Sequence, residues 1–178
     1  SAASDVYKRQ LFDNEEVGSA TNQGAGATFL KNTLTRISRS LGYSYDETQA
    51  MIARSFMISA DNGHALHPNH GEYADPVNAP RLNEGIVIKF NAQQKYATDG
   101  FSAAFFRDLC RRAKVPTQTF TNRSDIPGGS TLGNISNTKV SMPTVDIGLP
   151  QLAMHSSYET AGTKDTAYLV MACTALFE

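Results

Sequence analysis

The chain has 178 residues, 40% hydrophobic and 19% charged, a composition that suits one globular domain with a sizeable core. Lys and Arg number 16 against 17 acids, and the formal net charge of −1 gives no support for a nucleic-acid or anionic-membrane partner. No apolar run approaches the roughly 20 residues that a membrane-spanning helix needs.

Ser1 to Gln10 (SAASDVYKRQ) does not begin with Met and has the form of neither a signal peptide nor a transit peptide. Residues 1–10 read as a non-native or linker-like segment and residues 11–178 as the domain, a native N-terminal arm being the alternative. A short strand is expected to end near Phe12. It leads into DNEEVGS, residues 13–19, where Asp13, Glu15 and Glu16 crowd together with no Lys or Arg in the run. Phe29, Leu30, Leu34, Ile37 and Leu41 recur at helical spacing, and Gly42 stops that helix. Ser44-Tyr45-Asp46-Glu47 has capping-box form and opens a second helix running to about Arg54.

Phe56 to Ala60 is a compact strand that delivers Asp61 at its end. A polar stretch rich in His, Pro and Asn follows, from Asn62 to about Glu84. Gly85 to Asn91 (GIVIKFN) reads as a strand, Phe101 to Ala113 as a helix closed by Val115-Pro116, and Thr117 to Thr121 as another strand. Gly128 to Gly133 (GGSTLG) is a loop feeding a short helix, Thr144 to Ile147 a strand, and Thr163 to Phe177 a final helix. Alternation of this kind, without internal repeats, predicts an α/β sandwich with a central sheet and helices on both sides. Cys110 and Cys173 stand far apart in amphipathic helical stretches, so both read as free buried thiols in a reducing, cytoplasmic compartment.

Sites in open α/β sheets gather outside the strand ends. Three expected strands lead toward acid–base or metal-binding residues: Asp13, Glu15 and Glu16; Asp61 with His64; and, beyond Pro150, His155. Each alone reads as a surface side chain; their joint position favours a site. Carboxylate and imidazole ligands without cysteine suit zinc, or a harder ion such as manganese or cobalt. Adjacent glutamates can divide two tasks, one ligating while its neighbour faces a water. His64, His67 and His70 form an HxxHxxH pattern, but Pro68 disfavours the helix that tight zinc motifs use, and His64 has the better claim to a site. Lys89, inside GIVIKFN, is either a cation for a substrate carboxylate or an edge-strand lysine that guards against aggregation. Tyr96 is either an oxyanion donor or a packing residue. The Gly128–Gly133 loop lacks the Lys of a phosphate-binding loop, which makes nucleotide binding a weak reading.

Taken together, DNEEVGS, SFMISADNGHALHPNH, GIVIKFNAQQKYATDG, NRSDIPGGSTLGNI and VDIGLPQLAMHS resemble, in order, the C-terminal part of the M18 aminopeptidases. These are two-metal peptidases, the aspartyl aminopeptidase family, and the likeness is nearest to bacterial members. It spans essentially Leu11 to Glu178. The resemblance implies a three-layer α/β sandwich with a central mixed sheet, N-terminally truncated, that removes N-terminal, often acidic, residues from peptides. It implies two zinc ions per site in the full-length parent, Glu15 as general base, and Glu16, Asp61 and His155 as metal ligands. His64, Lys89 and Tyr96 match positions that line the substrate pocket, with Lys89 reading an acidic first residue.

The resemblance further implies a homo-oligomeric parent, built from dimers up to a dodecamer. A His ligand and a metal-bridging Asp lie upstream of DNEEVGS in the family, so the 178 residues alone are expected to bind metal weakly and hydrolyse poorly. Another two-metal amide hydrolase and a metal-free scaffold that keeps the fold are the competing readings.

Overall fold

Residues 7–178 are described by the computed structural model; residues 1–6, and with them most of the segment read as non-native, lie outside the described residues. The first apolar stripe forms α1 (Phe29–Ser40). Next comes α2 (Tyr45–Ala53), opened by the expected capping box. Ser44 N–H donates to Glu47 Oε2 at 2.8 Å, and Glu47 N–H donates to Ser44 Oγ at 3.3 Å. Bonds from Ser44 hold the Glu47 carboxyl below its usual range. Folding therefore gains from this cap above the ordinary carboxyl pKa and loses the gain as pH falls through the depressed value. Ser44→Ala is expected to lower stability by about 1 kcal/mol, read as a lower urea midpoint at unchanged slope.

The chain continues through β1 (Met57–Ala60), β2 (Gly63–His64), β3 (Ile86–Phe90), α3 (Gly100–Arg112) and β4 (Thr117–Thr121). Then follow α4 (Leu132–Asn137), β5 (Thr144–Gly148), β6 (Pro150–Leu152), β7 (Thr160–Ala161) and α5 (Thr163–Phe177). The main sheet is mixed, in the order β1-β5-β3-β4, with β1 parallel to β5, β3 parallel to β4, and β3 antiparallel to β5. A second, smaller sheet runs β2-β6-β7 beside it.

Period-two alternation divides the side chains of the main sheet. Ile86, Ile88, Val145 and Ile147 enter the main core with Phe106, Leu109 and Cys110 of α3 and Ala172 of α5. Val87 leaves the other face and joins Tyr96 and Phe120 in a separate cluster. On that face α4 packs against β1 and β5, so helices cover both sides of the sheet. Each fully buried Ile or Phe contributes about 1.5–3 kcal/mol through removal from water. Among the described residues no helix is long and apolar enough to cross a membrane. Cys110 is buried and Cys173 partly so, both free, and burial pushes the Cys110 thiol up to about 12.

The strand expected near Phe12 does not form. Lys8 to Phe12 join no ladder and Leu11 is exposed. A strand needs a neighbour to satisfy its N–H and C=O groups, and this segment has none among the described residues.

Candidate active site

DNEEVGS folds as a turn that separates Asp13 from Glu15 and Glu16. Gly18 N–H donates to Glu15 O at 3.0 Å, and Asn14 Nδ2 reaches Gly18 O and Thr21 Oγ1, each at 3.1 Å. Asp13, expected with the two glutamates, instead accepts from Gln23 Nε2 at 3.3 Å and does not line the cavity that they face. Glu15 and Glu16 face a cavity of about 680 Å³.

Other parts of the cavity wall come from strand ends and the loops that follow them. Asp61 follows β1, and its N–H extends the ladder to Ile147 O at 3.0 Å. Gly148 makes that approach feasible, since a Cβ there would lie 2.0 Å from the Asp61 carbonyl oxygen. Gly148→Ala is accordingly expected to displace Asp61 and to destabilise by about 1–3 kcal/mol, measurable by urea unfolding. His155 occupies the turn after β6 at φ +64°, with its N–H on Glu159 Oε1 at 2.7 Å. Its Nε2 lies 2.8 Å from Glu16 Oε2, and both side chains are largely open to solvent.

Lys89 is 2% exposed on β3, a strand flanked by β5 and β4. That position overturns the edge-strand reading. Its Nζ donates to Asn62 O at 2.8 Å, lies 3.8 Å from Asp61 Oδ2, and sits 5.5 Å from the Tyr96 ring centroid. Tyr96 packs edge-on to Phe120 at 6.3 Å, which is the packing role, and it also lines the cavity. His64, on β2, lines the cavity too. His67 and His70 stack at 5.0 Å, and His70 Nδ1 meets Glu72 Oε1 at 3.0 Å, so the three histidines form no cluster. A single 3-10 turn, Gly71–Tyr73, replaces the helix that Pro68 disfavours.

Glu15, Glu16, Asp61, His64, Lys89, Tyr96 and His155, drawn from four separate stretches of sequence, thus line one cavity. Burial, then the charges of Asp61 and Glu16, raise the Glu15 carboxyl above its ordinary range, against the pull of Lys89 and His155. Burial raises Asp61 as well; Lys89 opposes this, and Glu16 and Asp146 reinforce it. Desolvation lowers Lys89, with Asp61, Asp146 and Glu15 resisting. Tyr96 is pushed up to about 12 by burial and by the charges of Asp146 and Asp61, so its hydroxyl stays protonated and able to donate.

The donor types fit zinc: two carboxylates and one imidazole, with more negative charge than the neighbouring cations balance. Only Glu16 and His155 touch; among the described residues no three His, Cys, Asp or Glu side chains are grouped so as to hold an ion alone. Sequence reasoning missed three supporting groups: the Asn62 carbonyl on Lys89, Glu159 on the His155 N–H, and buried Asp146. A lone acid within the apolar run TVDIG was the legible signal for the last.

Residues 3–177 match the family described as Aminopeptidase I zinc metalloprotease (M18). The chain belongs to the M18 family. A probable M18 family aminopeptidase 2 from Clostridium acetobutylicum is 52% identical over 158 residues, which is 89% of this chain and 36% of that relative. Among solved structures, that of the Ape4 and Nbr1 complex superposes with a TM-score of 0.90 at 41% identity, covering 93% of this chain and 31% of that one. The S. cerevisiae mApe1 dodecamer gives 0.80 at 30% identity, over 93% and 36% respectively. This M18 chain therefore spans about a third of the length of the proteins it matches. Its mixed sheet with helices on both sides is the fold those structures share.

Proposed function

We propose that this chain carries the general base, part of the metal site and the substrate pocket of a metal-dependent aminopeptidase acting on peptides with an acidic first residue. What supports the reading is the meeting of seven motif residues in one cavity, Glu15 and Glu16 side by side among them. Glu16, Asp61 and His155 would hold zinc. When bound, zinc supplies Lewis acidity toward a peptide carbonyl and makes a neighbouring water acidic near neutral pH.

The rest is the work of the chain's own groups. The Glu15 carboxylate takes a proton from the attacking water and returns it to the leaving amine. Its raised carboxyl brings its proton affinity closer to that of the groups it serves. Lys89, held by the Asn62 carbonyl, fixes Asp61 and offers the buried ammonium that a substrate carboxylate can approach. Tyr96 keeps its proton and donates toward the oxyanion that develops at the scissile carbonyl. With three donors and no bridging group among the described residues, the 178 residues by themselves hold zinc weakly and turn over slowly. The full-length protein works as a homo-oligomer in a reducing compartment.

The deciding assay loads the full-length protein with zinc or manganese and offers it peptides beginning with Asp, Glu or Leu. Metal-dependent release of the first residue, faster from the acidic peptides, is expected. Release from none of them would overturn the aminopeptidase reading; equal release from all three would overturn the acidic preference alone.

A further inference from the structure

Asp146 sits in the middle of β5, only 1% exposed, and has no part in the chemistry set out above. Its neighbours Val145 and Ile147 enter the main core, so its side chain leaves the opposite face of the sheet, the face that carries Tyr96. The two carboxylate oxygens are engaged with two different segments. Oδ2 accepts from the Ala97 N–H at 2.6 Å, and Oδ1 accepts from Thr131 Oγ1 at 2.8 Å. The Asp146 N–H donates to Thr98 Oγ1 at 2.8 Å, which ties the first segment a second time. Gly133 presses on the same carboxylate, where a Cβ would fall 2.3 Å from Oδ1.

Both segments reach the cavity wall. Tyr96 of the first lines it, and so do Gly129, Ser130 and Thr131 of the second. Asp146 itself does not line it. A carboxylate so buried is costly unless its lone pairs are filled, which makes its two partners mutually dependent.

We propose that Asp146 is a positioning residue of the peptidase cavity: one buried carboxylate ties the Tyr96–Thr98 turn to the glycine loop and fixes the two segments relative to each other in the wall against which the peptide is held. This gives a function to the GGSTLG loop that nucleotide binding does not. The proposal rests on the aminopeptidase reading above. The molecule supplies its own control in Asp165, which is 0% exposed and accepts from Asn83 N–H at 2.6 Å and Gly85 N–H at 3.0 Å. Asp165 is chemically alike, yet none of Asn83, Gly85 and Asp165 lines the cavity.

The test compares Asp146→Asn, Thr131→Val and Asp165→Asn in the zinc-loaded full-length protein by steady-state kinetics, thermal unfolding and amide exchange. Asp146→Asn sets an amide N–H against one of the two donors; Thr131→Val removes one bond and leaves the charge in place. Asp146→Asn is expected to raise KM at least tenfold and Thr131→Val about threefold, with faster exchange at Ala97 and Thr98. Asp165→Asn should lower the melting temperature comparably while KM stays within twofold. Unchanged KM and unchanged exchange at Ala97 in both cavity variants would overturn the proposal, as would an equal rise of KM in Asp165→Asn. Should Asp146→Asn not fold, Thr131→Val decides by the same criteria. Should the unaltered protein release no residue from any peptide, the aminopeptidase reading fails by itself, and Ala97 exchange in Thr131→Val still decides the fastening.

Discussion

Replacing Glu15 by Gln is expected to lower kcat by about two to four orders of magnitude while zinc content stays at the level of the unaltered protein. Gln matches Glu in shape but takes up no proton at neutral pH, so under the proposed mechanism it removes the acceptor for the water's proton and little else. Glu15 is only partly buried, and the imidazole contact in the cavity belongs to its neighbour, His155 Nε2 to Glu16 Oε2 at 2.8 Å. The pair therefore separates into two experiments. Glu15→Gln should lose turnover and keep metal, whereas His155→Ala should lose both. Zinc content measured on dialysed protein alongside kcat checks the division of labour. Equal metal loss in the two variants would sink it.

What the sequence revealed and what it withheld follow from how far apart the interacting residues are. Helices α3 and α5 and strand β4 carry their signals locally, in apolar spacing and turn residues, and the observed limits Gly100–Arg112, Thr163–Phe177 and Thr117–Thr121 lie within a residue of those expected. The capping box at Ser44 and Glu47 is just as local. The small sheet left no such trace. Its strands are two or three residues long and exist because Gly63 pairs with Pro150 and Gln151 with Ala161, partners that no local pattern connects. The strand expected near Phe12 failed for the converse reason, an apolar pair with no ladder to join.

The site divides in the same way. Glu15, Glu16, Asp61 and His155 stand out as acids and an imidazole in polar turns, Asp61 and His155 shortly after strands. The surroundings of Lys89 could not be read locally, because a single charge in an apolar run looks the same on an edge strand as on an interior one. Its position follows from β5 and β4 flanking β3, and its partner Asn62 lies 27 residues away. Asp146 is the extreme case, held by Ala97 and Thr131 from separate loops.

Lys89→Leu is the substitution on which specificity and stability meet. Leu fills most of the space and leaves the Asn62 carbonyl without its donor and the Asp61 carboxylate without its ion-pair partner. An unsatisfied buried acceptor costs about 1–3 kcal/mol, and the lower part of that range applies, because the Asn62 carbonyl is only partly buried. A lower urea midpoint is expected, together with weaker zinc retention as Asp61 loses its anchor. The selectivity change is larger and of a different kind. A charge-assisted bond to a substrate carboxylate is worth about 1.5–3 kcal/mol, so kcat/KM for Asp- and Glu-terminal peptides should fall roughly ten- to hundredfold relative to a Leu-terminal one. The ratio between substrates cancels any common loss of metal or of folded protein, which isolates the reading of charge from the anchoring of Asp61. A preserved ratio with reduced zinc content would restrict Lys89 to holding Asp61 and remove it as the reader of the first residue. A collapsed ratio at full zinc occupancy would assign it the reading itself.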